Sequence, residues 1–157
     1  MIGTRGASGH DERARWVAVT ADRRQPSETN ATGRAHVRAW AGVTIDCRDP
    51  RPVAEFWSAL LDVPARPAGR DREGWFRLGP AVRGGPVLNF QPVPEEKAGK
   101  TRVHLDLWVD DLQGSIELVE RLGGSRVAEV QALERGRIAV MADPEGNEFC
   151  LIAAPAV

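Results

Sequence analysis

The sequence predicts an α+β fold built from two tandem βαβββ modules. Three observations carry that prediction. First, "VRAWAGVTIDCRD" alternates apolar and polar residues as a strand does and runs into Asp49, after which Val53, Phe56, Trp57, Leu60 and Leu61 recur at helical spacing. Second, the same succession returns: "TRVHLDLWV", then Asp111, then Leu112, Ile116, Val119 and Leu122. Third, Asp49 and Asp111 lie 62 residues apart, and at this offset Glu55 falls on Glu117, Phe56 on Leu118 and Leu60 on Leu122. Identity is weak, but the apolar phase agrees through strand and helix. A unit of this size buries its sheet face poorly alone, so two of them are expected to pair.

Each element follows from local chemistry. Asp49 and Asp111 stand where a short acceptor side chain caps a helix start. "GWFRLG" and "GPVLNFQPV" read as two strands parted by glycine-rich turns, and the proline-bearing "PVPEEKAGK" as a polar linker between modules spanning about 38–94 and 100–154. Gly123 and Gly124 stop the second helix. "SRVAEVQAL", "GRIAVMA" and "NEFCLIA" read as strands. "DPEG", residues 143–146, has the composition of a type I turn. Residues 1–36 are rich in Gly, Ser, Thr, Arg and acids and offer only "WVAV" as an apolar run, so they are expected to form a disordered or loosely packed arm before the 37–157 domain.

Bulk properties narrow the function classes. With 157 residues and 42% hydrophobic content the chain suits one self-sufficient domain. A net charge of -1 gives no general attraction to nucleic acid or to an anionic membrane. Two cysteines, Cys47 and Cys150, are too few for a disulfide framework. There is no apolar run of membrane-spanning length and no apolar signal-peptide core, so a cytoplasmic location is the default expectation.

Taken together, "FWSALLDV", "KTRVHLDLWVDD" and "DPEGNEFCLI" resemble the vicinal oxygen chelate superfamily of glyoxalases, bleomycin-resistance proteins and extradiol dioxygenases, and within it the glyoxalase-like domain branch. The resemblance covers about residues 38–154. It implies a curled mixed sheet around a central cleft with the helices outside. In metal-dependent members it implies four side chains, two per module, around a divalent ion. It also leaves room for a homodimer, although two complete modules are expected to give each chain its own cleft.

Carried over residue by residue, that ion site is degraded. His104 matches the second-module histidine, seven residues before Asp111. The first-module equivalent is Gly42, which has no side chain to ligate. The final-strand position falls on Cys150, with Glu148 two residues early, and the remaining donor would be Asn89 or Gln91. No metal ligand is therefore assigned and no cofactor is expected, although an oxygen-rich divalent site is left open by the shared face of His104, Asp106, Asp46 and Glu148.

Strand phase divides the remaining residues. Val43, Ile45, Cys47, Leu105, Leu107 and Val109 should face the helices. The opposite face gathers Asp46, Asn89, Gln91, Arg102, His104, Asp106, Trp108, Glu148 and Cys150. Burying that many charges as core would be costly, so a solvated or ligand-filled pocket is the expectation. His104, oriented by Asp106 or Glu148, suits general acid-base chemistry in an isomerase or lyase. Asp46, Asn89, Gln91, Arg102, Trp108 and Cys150 suit substrate binding. The competing readings are a non-catalytic sequestration protein of resistance type and, more weakly, a metal-dependent glyoxalase or dioxygenase. The bland reading of His104 is a structural pair with a carboxylate.

Overall fold

A computed structural model describes residues 41–79 and 86–155. The N-terminal arm and its "WVAV" run lie outside the described residues. Within the described residues, two mixed sheets and two helices form two successive modules, and the sheets do not close into a barrel. Module one is β1 (Val43–Cys47), α1 (Pro50–Leu61), β2 (Ala65–Pro67), β3 (Phe76–Leu78) and β4 (Leu88–Pro92). Its sheet runs β1-β4-β3-β2, with β1 parallel to β4 and the other pairs antiparallel. Module two is β5 (Asp106–Trp108), α2 (Leu112–Arg121), β6 (Ser125–Arg126), β7 (Gln131–Leu133), β8 (Gly136–Ala142) and β9 (Glu148–Ala153). Its sheet runs β5-β9-β8-β6, β5 and β9 are parallel, and β7 also pairs with β8.

Both helix starts form as their sequences dictate. The Asp49 side chain accepts from Arg51 N and Asp111 from Gly114 N, so each aspartate satisfies an amide that the helix itself leaves unpaired. Val53, Ala54, Phe56 and Trp57 from α1 and Leu112, Ile116 and Val119 from α2 are buried in one core with Phe90, Met141, Phe149 and Leu151. The modules join there. The Trp57 ring lies 4.8 Å from that of Phe149, and Phe56 packs edgewise on both. The "DPEG" turn closes with Gly146 N donating to Asp143 O at 2.9 Å.

Three strand assignments need correction. The strand expected over "TRVHLDLWV" is regular only at Asp106–Trp108, because Thr101 N donates to the Glu148 side chain and not to a neighbouring backbone, holding residues 101–104 off the ladder. Alternation therefore does not govern Arg102, and Val103 is left 78% exposed. "SRVAEVQAL" breaks into β6 and β7. Both pieces pair antiparallel with β8, with Val130 packed on the core between them and Val127 exposed. The edge strand β2 has no strand signature in the sequence, because two prolines, Pro64 and Pro67, give it the look of a loop, yet an edge is where a strand tolerates proline.

Candidate functional site

The chemistry-bearing residues gather in three places around the sheets. On module two, the parallel pairing of β5 and β9 sets Asp106 beside Cys150 and Trp108 beside Ile152. His104 arrives just before β5, where Cys150 N donates to Leu105 O at 2.8 Å and begins the ladder. His104 Nδ1 then lies 3.4 Å from Asp106 Oδ1 and 3.7 Å from Cys150 Sγ. One donor atom from each of the three falls within 4.8 Å of the others. Cys150 is buried, whereas His104 and Asp106 open to solvent. Burial, reinforced by a hydrogen bond to Asp106 and by its charge, pushes the Cys150 thiol up to about 11. It is therefore protonated near neutral pH. Trp108 stands on the same strand, 74% exposed.

Between the modules lies a cleft of about 370 Å³, lined by Val43, Thr44, Ile45 and Asp46 of β1, by Thr101, Val103, His104 and Leu105, and by Asn147, Glu148, Phe149 and Trp57. Its chemistry is unequal. Asp46 offers an exposed carboxylate. Glu148 is already engaged: it accepts from Thr101 N at 2.8 Å and from the Thr101 hydroxyl, and pairs with Lys97 at 3.1 Å. These bonds, led by the Thr101 hydroxyl, pull its carboxyl down to about 2. Glu148 is thus a fixed anion tying the linker to β9, and among the described residues it is Asp106 that reaches the His104 ring.

A second cavity, of about 450 Å³, opens on the module-one sheet and is lined by Ala41, Gly42, Thr44, Ala68, Arg72, Arg77, Val87 and Asn89. Asn89 Nδ2 donates to Val43 O at 3.5 Å. Gln91 is the register partner of Asp46 and lines neither cavity, and the same holds for Arg102 on its exposed bend. Of the residues expected on one face, the structure brings His104, Asp106 and Cys150 into contact, places Asp46 and Glu148 in the adjoining cleft, and sets Asn89 in the other cavity.

The four-residue ion site implied by the resemblance does not fit this chain. A Cβ built on Gly42 would lie 2.6 Å from Val87 O and 3.1 Å from Asn89 Nδ2. That carbonyl is fixed by accepting from Val43 N at 2.8 Å. The space a first-module ligand would need is filled by backbone. Among the described residues, what remains is the three-donor group of His104, Asp106 and Cys150 on module two.

Sequence reasoning missed a set of residues that fixes the cleft. Asp143 is buried and accepts from Glu145 N, Asn147 N, Asn147 Nδ2 and Trp57 Nε1. Its burial raises its carboxyl above the usual range despite those bonds. Glu145 accepts from Arg48 N and Asp49 N, both at 2.7 Å, and so ties the module-two turn to the start of α1. An aspartate with an asparagine four residues on does signal a local side-chain turn. Nothing local signals a contact with Arg48, nearly a hundred residues away.

The chain matches the glyoxalase-like domain family over residues 42–152. Among curated proteins, no sequence relative matches. Solved structures share the fold at low identity. A glyoxalase/bleomycin resistance protein/dioxygenase family enzyme from Burkholderia phytofirmans is 16% identical with a TM-score of 0.58, covering 73% of this chain and 98% of that one. The fosfomycin resistance protein FosX from Mesorhizobium loti is 18% identical at a TM-score of 0.57, covering 76% and 95%. FosX from Listeria monocytogenes, complexed with Mn(II) and 1S,2S-dihydroxypropylphosphonic acid, is 13% identical at 0.61, covering 76% and 95%. The repeat, the paired modules and the family match agree: this chain belongs to the glyoxalase-like domain family, with the vicinal oxygen chelate fold.

Proposed function

We propose that this protein binds a small molecule in the cleft and transfers a proton on it through His104, as an isomerase or lyase acting next to a carbonyl. The observation that carries this reading is the 3.4 Å approach of Asp106 Oδ1 to His104 Nδ1. With the proton on Nδ1, the ring donates to Asp106, which fixes its orientation and leaves Nε2 as the base. The neutral Cys150 thiol supports the ring from the sheet side without competing as a nucleophile. Asp46, on the β1 side of the cleft, is the free carboxylate available to receive a substrate hydroxyl. The test is carbon-bound hydrogen exchange. The protein is incubated in deuterated water with a panel of small keto acids, hydroxyketones and aldehydes, and label uptake is followed by proton NMR. At least one member should exchange, and His104→Ala should slow it by about 10²- to 10⁴-fold. Exchange at the wild-type rate in that variant would remove His104 from the chemistry. Tight binding of a panel member with no exchange would favour a sequestration protein.

A second reading is favoured by the donor distances alone. Around a tetrahedral zinc ion with Zn–N of about 2.0 Å and Zn–S of about 2.3 Å, adjacent donors sit roughly 3.3 to 3.6 Å apart. His104 Nδ1 stands 3.4 Å from Asp106 Oδ1 and 3.7 Å from Cys150 Sγ. His104, Asp106 and Cys150 would then hold a thiophilic ion from module two alone, supplying a Lewis acid at the open face. The thiol has to lose its proton to ligate, so uptake should strengthen as pH rises toward its raised value of about 11. Elemental analysis of protein prepared without chelator should find one equivalent of zinc. Titration with Co(II) should give a near-ultraviolet thiolate band that Cys150→Ala abolishes. No bound ion and no band would remove this second reading.

A further inference from the structure

We infer that the module-one sheet carries an oxyanion site, built from Arg77 and Arg72 with Asn89 and Thr44, that takes the carboxylate or phosphate group of a small anionic ligand. The strand registers create it. Arg77 on β3 is the cross-strand partner of Asn89 on β4, and Asn89 is the partner of Thr44 on β1. A guanidinium, an amide and a hydroxyl thus form one row across three neighbouring strands, and all three line the second cavity. Arg72 enters the same cavity from the loop before β3.

That loop is not a loose tether. Ala68 N donates to Trp75 O at 2.9 Å, Arg72 N to Gly69 O at 3.2 Å and Trp75 N to Arg72 O at 3.1 Å. The Arg72 guanidinium also stacks over the Trp75 ring, 4.9 Å from its centroid. Stacking uses the flat face of the guanidinium and leaves its edge N–H donors available. Among the described residues, no carboxylate pairs with Arg72 or Arg77, in contrast to Arg48 and Lys97, which hold Glu96 and Glu148. Among the described lining residues the two cations have no internal counter-charge, which disfavours their approach until an anion arrives. Arginine presents its donors as a fork that matches carboxylate and phosphate oxygens.

The site adjoins the proposed reaction centre. Thr44 lines both this cavity and the cleft that holds His104. The inference therefore deepens the proposed function by naming its substrate class, and it rests on that reading only in treating anion and reacting carbon as parts of one molecule.

The experiment is calorimetric titration of the full chain with inorganic phosphate and, separately, with malonate, at constant ionic strength against chloride. Saturable binding of at least one is expected. Arg77→Gln and Arg72→Gln should each weaken it by about tenfold, the loss of one charge-assisted hydrogen bond. Both side chains are exposed, so circular dichroism should show unchanged folding. His104→Ala should leave anion affinity intact. Absence of saturable binding by both anions, wild-type affinity in both arginine variants, or loss of binding in His104→Ala would each overturn the site. Absence of hydrogen exchange in the wild-type protein with anion binding preserved would count against the proton-transfer reading alone.

Discussion

Glu148 and Asp106 show how two carboxylates near one cleft acquire different tasks. Asp106 is exposed and meets a ring nitrogen, so its charge is available to respond to chemistry. Glu148 is spent on Thr101 and Lys97 and is held down to about 2. Its folded-state value lies below the ordinary 4.5, so its stabilising contribution is complete above about 4.5 and is lost as pH falls through about 2. Glu148→Gln should therefore lower urea stability near neutral pH and flatten the acid limb of the stability curve between those two values. An unchanged acid limb would show that Thr101 and Lys97 do not carry this linkage. Gly42 is instructive at the same scale. It reads in the sequence as a missing ligand, but its cause is spatial, because the Val87 carbonyl occupies the place a Cβ would take.

Among the elements, both helices were legible because caps and apolar spacing are local properties. Asp49 and Asp111 perform the capping their identity predicts, and Val53, Trp57, Ile116 and Val119 are all buried. Cys47 is buried and Val43, Ile45, Leu105, Leu107 and Val109 pack against the core, but Val43, Ile45 and Leu105 also line the cleft beside Thr44, Asp46 and His104, so the cleft is not confined to one strand face. Strand extents were less legible. Alternation marks which residues are able to pair, but pairing ends where another group captures the backbone, as Glu148 captures Thr101 N. Edge strand β2 carries almost no pattern, because an edge needs neither continuous hydrogen bonding nor an apolar run.

The whole molecule depends on the joint between its modules. Phe149 is 1% exposed and packs on Trp57 and Phe56, so it closes the core from module two onto α1. Phe149→Ala should cost about 3–5 kcal/mol in urea unfolding, the usual penalty for emptying a buried aromatic site. A loss near that for an exposed side chain would mean the modules are held chiefly by the polar ties of Asp143 and Glu145. The sequence by itself determined the βαβββ repeat, the two caps and the helical core stripes, since each is written in residue spacing along the chain. Only the tertiary structure decided that His104 meets Asp106 and Cys150, that Glu148 is committed elsewhere, that Glu145 reaches Arg48, and that Arg72, Arg77 and Asn89 share a cavity. Those arrangements depend on the register between strands and the docking of one module on the other, which are set by the fit of distant surfaces and leave no periodic trace along the chain.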